Sequence, residues 1–134
     1  MNSFIIKKSK KRVTDIEKVY LWLFYNPLGQ LLTKGEKRTL AAIVSLYLAT
    51  KKAFKVSNKQ SALVYNYIFG SEARKQICED VKITQLTLAV HLTKLRKYKC
   101  ILKDKDGKDT LNKVVIPEIA KNGDIYINTT IRFV

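Results

Sequence analysis

Two cysteines, two prolines, five glycines and one histidine are all the chain offers of residues on which several function classes depend. Cys78 and Cys100 allow one bridge at most, too few for a disulfide framework; they read as small hydrophobes in or near the core. His91, the one histidine, has no cysteine or carboxylate at ligand spacing and no nucleophile in a recognisable motif. A metal site and a catalytic base are therefore not expected, and His91 reads as an ordinary satisfied or exposed side chain. Gly29, Gly35, Gly70, Gly107 and Gly123 are scattered, so no glycine-rich loop is present to cradle a phosphate. No apolar run approaches the ~20 residues needed to cross a bilayer. At the start, Phe4-Ile5-Ile6 precedes Lys7, Lys8, Lys10, Lys11 and Arg12, the reverse of a secretory signal's charged-then-apolar order. These shortages point to a protein without metal or cofactor, not an enzyme and not in a membrane. Its expected place is the cytoplasm, or the virion if it is viral.

Negative charge is scarce as well. The chain carries 11 acidic against 26 basic residues, a net charge of +15. A field of that strength favours polyanionic partners, nucleic acid first among them. Arginine is limited to Arg12, Arg38, Arg74, Arg96 and Arg132, and lysine makes up the rest. The length of 134 residues and the apolar fraction of 46% suit one globular domain with a real core.

Residues 1–12 hold five positive charges and no negative one, which reads as a basic arm. Thr14 to Glu17 fits a capping box opening a helix, with Ile16, Val19, Tyr20 and Leu23 at helical spacing. The aromatic run Tyr20, Trp22, Phe24, Tyr25 reads equally as a strand, and Asn26-Pro27-Leu28-Gly29 ends either element. Residues 1–32 are thus taken as a basic arm with a lead-in helix or strand. Thr33 and Glu36 form a second capping box, and Leu40, Ile43, Val44, Tyr47 and Leu48 predict a helix over 34–50. Residues 51–60 read as a loop. Ala62 to Phe69 predicts a short helix stopped at Gly70, with Ser71 capping the next helix to about Asp80. Thr84 caps a further helix to about Lys99. Beyond it the pattern turns to β: Ile101–Lys103, a type I′ turn at Asp106-Gly107, and a strand over 111–116. Asn122-Gly123 marks another turn, and alternation over 125–133 predicts a half-buried closing strand.

The segment Ser71 to Ile101 carries the functional signal. It holds a short helix, a tight turn and a longer capped helix. Ile77, Val81, Ile83, Leu88, Leu92, Leu95 and Ile101 sit where two crossing helices meet. A lysine-rich hairpin follows. This resembles the winged helix-turn-helix superfamily. In that family a leucine near the end of the recognition helix, here Leu95, precedes a two-stranded wing, here Lys103 to Lys113. The resemblance covers Thr33 to Val134. The expected fold is mainly α with a C-terminal β-hairpin wing, an α+β winged helix-turn-helix over 33–134.

What the resemblance implies is DNA binding, with the second helix of the motif in the major groove and the wing on phosphates. The positions so placed are Thr84, Gln85, Leu86, Thr87, Ala89, Val90, Thr93, Lys94 and Lys97. Gln85 suits an adenine edge, and Thr87 suits a base or a thymine methyl. Lys94, Arg96, Lys97 and Lys99, with Lys103, Lys105 and Lys108 on the wing, suit phosphates. The chain departs from the family pattern in one respect. Leu86, Ala89 and Val90 make the outward face apolar, and no arginine lies in the first two turns. Three explanations stand at this level: the helix is rotated and these residues are core, they meet a protein partner, or they read thymine-rich DNA. Two functions follow. One is a DNA-binding module acting as a transcription regulator, replication accessory or packaging factor. The other is an assembly subunit, a homo-oligomer or a component of a bacteriophage particle near its DNA portal, that reuses a winged-helix fold.

Overall fold

A computed structural model of the chain describes residues 15–18, 32–54, 61–119 and 125–126. The basic arm, the aromatic run 20–25, the turn at 26–29, the Asn122-Gly123 turn and the closing strand beyond Tyr126 lie outside them. The described part is mainly helical with two small antiparallel strand pairs, an α+β arrangement. A helical turn at residues 15–18 comes first. Then follow α1 (Lys34–Phe54), α2 (Ser61–Ile68), α3 (Ser71–Val81) and α4 (Gln85–Lys97). β1 (Ile101–Lys103) pairs with β2 (Asp109–Leu111), and β3 (Glu118–Ile119) with β4 (Ile125–Tyr126).

α1 is the central element, touching α2, α3 and α4. Its start is fixed by the capping box read from the sequence. The Thr33 N–H donates to Glu36 Oε1 at 2.8 Å, and the Glu36 N–H donates to Thr33 Oγ1 at 3.2 Å. The helix runs to Phe54 rather than stopping at Thr50, so residues 51–54 are helix and not loop. Lys51 and Lys52 stand in its last turn, where cations face the negative end of the helix dipole. Leu40, Ile43, Val44 and Tyr47 are buried along one stripe, and Ala41 and Ala42 let neighbours approach closely. Ile16 is fully buried in the same cluster, and Arg38 pairs with Glu17 at 3.5 Å, so the turn at 15–18 packs on α1.

α3 is capped by Gly70 and not by Ser71, which is already the first helical residue. Gly70 makes no side-chain cap bond, and its extended backbone (φ −79°, ψ 172°) provides the entry. α3 and α4 pack together across residues 82–84. Ile77, Val81, Leu88, Leu92, Leu95 and Ile101 are buried as the periodicity predicts, and Ile83 is half-buried against them.

The hairpin differs from expectation in two places. Asp106 does not have the positive φ that a type I′ turn requires; Gly107 alone in this loop does, at 76°. The Gly107 N–H donates to the Asp104 carbonyl, and the Asp104 N–H to the Lys108 carbonyl. This is a three-residue loop with glycine in the left-handed position. The Asp104 carboxylate accepts the N–H groups of Asp106 and Lys108 at 2.8 and 2.9 Å, holding the loop from within. The second strand also stops at Leu111. Asn112 Oδ1 accepts the Val114 N–H and opens a 3-10 turn, Lys113–Val115, where the sequence predicts a continuing strand.

Candidate nucleic-acid interface

α4 begins at Thr84, whose Oγ1 accepts the Thr87 N–H at 3.1 Å. The Thr84 hydroxyl also donates to the Thr87 hydroxyl at 3.0 Å, so these two threonines engage each other at the cap. Leu88, Leu92 and Leu95 turn one side of the helix into the core. At about 100° per residue, Leu86, Val90, Thr93 and Lys97 emerge roughly 140–200° away from Leu88. Leu86 is 77% exposed and Val90 61%, with Ala89 and Gln85 also exposed. The rotated-helix explanation is thereby overturned: these apolar side chains face outward. The Thr93 hydroxyl donates to the Ala89 carbonyl at 3.0 Å.

Three links fix α4 in place. In mid-helix, His91 Nδ1 and the buried Thr39 hydroxyl of α1 lie 2.7 Å apart. Near the end, Arg96 holds Asp109 of β2 with two bonds, at 2.7 and 3.2 Å. Lys103 of β1 meets the same carboxylate at 2.9 Å. Burial alone pushes the Asp109 carboxyl upward, but the hydrogen bonds and charges of Arg96 and Lys103 outweigh it and hold the group below its ordinary value. At the C-terminus, the Cys100 N–H returns to the Leu95 carbonyl and the Lys99 N–H to the Arg96 carbonyl. That is a Schellman ending, with fully buried Cys100 and Leu95 as its apolar pair. Burial pushes the Cys100 thiol up to about 12, so it stays protonated and inert. Both cysteines are free.

The predicted cations separate into two groups. Arg96 and Lys103 serve Asp109. Lys97, Lys99, Lys105 and Lys108 are exposed, and Lys94 is half-buried. The ammonium groups of Lys94 and Lys97 lie 5.4 and 5.6 Å from the centre of the Tyr98 ring. Sequence reasoning missed Lys82, which is exposed in the turn that joins α3 to α4. Lys82 and Lys99 both have left-handed backbone, at φ 57° and 64°. Glycine or asparagine is usual at such helix ends, and an L side chain there is strained. Lys99→Gly is therefore expected to raise stability by about 0.5–1 kcal/mol, the relief of strain exceeding the added chain entropy. Chemical denaturation checks it, and a loss of stability would contradict the strain.

Among the described residues, no cluster of three or more histidine, cysteine or carboxylate side chains is placed to hold a metal ion. Among the same residues, no helix is long and apolar enough to cross a membrane. No protein-family model, curated protein or solved structure matches the chain.

Proposed function

We propose that the chain is a winged helix-turn-helix protein that binds duplex DNA, with α3 and α4 as the motif, α4 in the major groove and the β1–β2 hairpin as the wing. The observation that carries this reading is the Arg96–Asp109 pair. It fastens the hairpin to the end of α4 and so makes helix and wing one unit. Exposed Lys82, Lys97 and Lys99 at the ends of α4, with Lys105 and Lys108 at the hairpin, are suited to the phosphates on either side of a groove. A net charge of +15 supplies long-range attraction. Such a protein would act as a transcription regulator, a replication accessory or a packaging factor.

The test is binding to duplex DNA over a salt series. Affinity is expected to fall linearly on logarithmic axes, with a slope of about 0.9 per phosphate neutralised. Reversing Lys97, Lys105 and Lys108 to glutamate should weaken binding and flatten that slope by roughly 0.9 for each phosphate left without its lysine. Arg96 is unsuitable for reversal, since a glutamate there would face Asp109 and release the hairpin. Binding indifferent to salt and to these reversals would refute the reading.

A second reading, the assembly subunit, is favoured by another exposed apolar group. Phe54 is 51%, Leu63 58% and Tyr67 43% exposed, and the rings of Phe54 and Tyr67 meet edge to face at 6.0 Å. Sedimentation separates the two: a stable ring or oligomer without DNA supports assembly, and a monomer opposes it.

A further inference from the structure

We propose that α4 selects A·T-rich duplex DNA through apolar contact between Leu86 and Val90 and the C5-methyl groups of thymine, with Gln85 beside them for an adenine edge. This rests on the DNA-binding reading above and names its target.

α4 has few side chains still able to meet a base. Guanine is read mainly by arginine or lysine, cytosine by a carboxylate, adenine by asparagine or glutamine, and thymine by apolar contact with its methyl. No aspartate or glutamate occurs in α4, so the acceptor suited to cytosine is missing from the helix. Its single arginine, Arg96, is turned to Asp109, which it holds through Nε and Nη2. Lys94 and Lys97 stand in the last turn beside Tyr98, away from the N-terminal turns that enter a groove most deeply. The hydroxyls of Thr84 and Thr87 bond each other, and that of Thr93 donates to a backbone carbonyl. What remains toward the start of the helix is one amide, the Thr87 hydroxyl with its own proton, and an apolar ridge.

That ridge lies outside the buried core of the described residues. Leu86 and Val90 are 77% and 61% exposed while the opposite side of the same helix supplies the core. Four residues apart, they stand about 6 Å from each other along the axis, enough to meet different base steps. The lysines around them match a polyanion in charge. That complementarity favours DNA over a neutral protein surface as the occupant.

The test uses the full chain and three duplex probes of equal length at one salt concentration. They are alternating d(A-T), the same duplex with deoxyuridine for every thymine, and alternating d(G-C). Deoxyuridine removes only the methyl. The wild-type chain is expected to bind the d(A-T) probe about fifteenfold more tightly than the deoxyuridine probe, since each of the two buried methyls accounts for about fourfold. It should also prefer d(A-T) to d(G-C). The double variant Leu86→Ala/Val90→Ala should bind the thymine and deoxyuridine probes equally, with the salt slope of the wild type retained. Both residues are exposed, so circular dichroism should show the fold intact. Equal wild-type affinity for all three probes overturns methyl reading and leaves DNA binding standing. Binding to none of them overturns both. A concentration-dependent oligomer that disappears in the double variant assigns the ridge to a second copy and overturns the proposal.

Discussion

Leu95→Ala is expected to lower folding stability by about 2–5 kcal/mol, a large share of the ~5–15 kcal/mol typical of a domain. Leu95 is fully buried. It belongs to the α4 stripe packed on α1 and α3, and its carbonyl receives the Cys100 N–H that turns the chain toward β1. Truncation removes apolar packing and leaves a cavity where the last turn of α4 meets the hairpin. Leu86→Ala is the control: the same chemical change on the same helix, at a site 77% exposed. It should shift stability by no more than about 0.5 kcal/mol. Denaturant midpoints of the two variants give the comparison directly. Equal losses would mean that α4 presents a different side to the core.

Asp109→Asn should cost about 2 kcal/mol near neutral pH, and the cost should fade in acid. The Asp109 side chain is 9% exposed and carries both Arg96 and Lys103. Asparagine keeps the shape but leaves the guanidinium without its counter-charge. Arg96 is itself 33% exposed, so water offsets part of the loss, and the cost stays below that of breaking a fully buried pair. The folded-state value of Asp109 lies below its ordinary one. Its contribution is therefore complete above the unfolded carboxylate range near ~4 and is lost as pH falls through the lower folded value. Unfolding curves of wild type and variant should stay apart at neutral pH and draw together only as the pH falls below the unfolded carboxylate range. A gap that stays constant as the pH falls would show that the charge contributes nothing.

The parts of this fold legible in the sequence are those governed by local rules. Thr33 with Glu36 and Thr84 with Thr87 mark helix starts because a hydroxyl three residues ahead of an N–H has one natural use. Leu88, Leu92 and Leu95 give the buried side of α4 through their spacing alone. Misreadings arise where two local rules compete. Lysines after Thr50 suggest a loop, yet the dipole at the end of α1 welcomes them. Ser71 is a good capping residue, but Gly70 takes the position. Valines at 114 and 115 suggest a strand, and the Asn112 side chain diverts the backbone into a 3-10 turn. Lys82 and Lys99 escape notice as left-handed residues because that conformation is sought at glycine and asparagine. At the candidate interface the exposure of the side chains is legible in the sequence, but not which cations are already paired. Arg96 and Asp109 stand thirteen positions apart, and only the hairpin's return brings them together. That pairing changes Arg96 from an expected phosphate ligand into the anchor of the β1–β2 hairpin.

The three links holding α4 have a kinetic consequence. His91 fastens the middle of the helix, Arg96 its final turn, and the Leu95–Cys100 ending its exit. A helix held in its middle and through its last turn resists rolling about its own axis, which favours a fixed bearing for its outward residues. If α4 meets DNA as proposed, encounter would be the docking of a preformed shape, without a folding step on the way. Association should be fast and governed by charge, and differences between targets should emerge in how long each complex lasts.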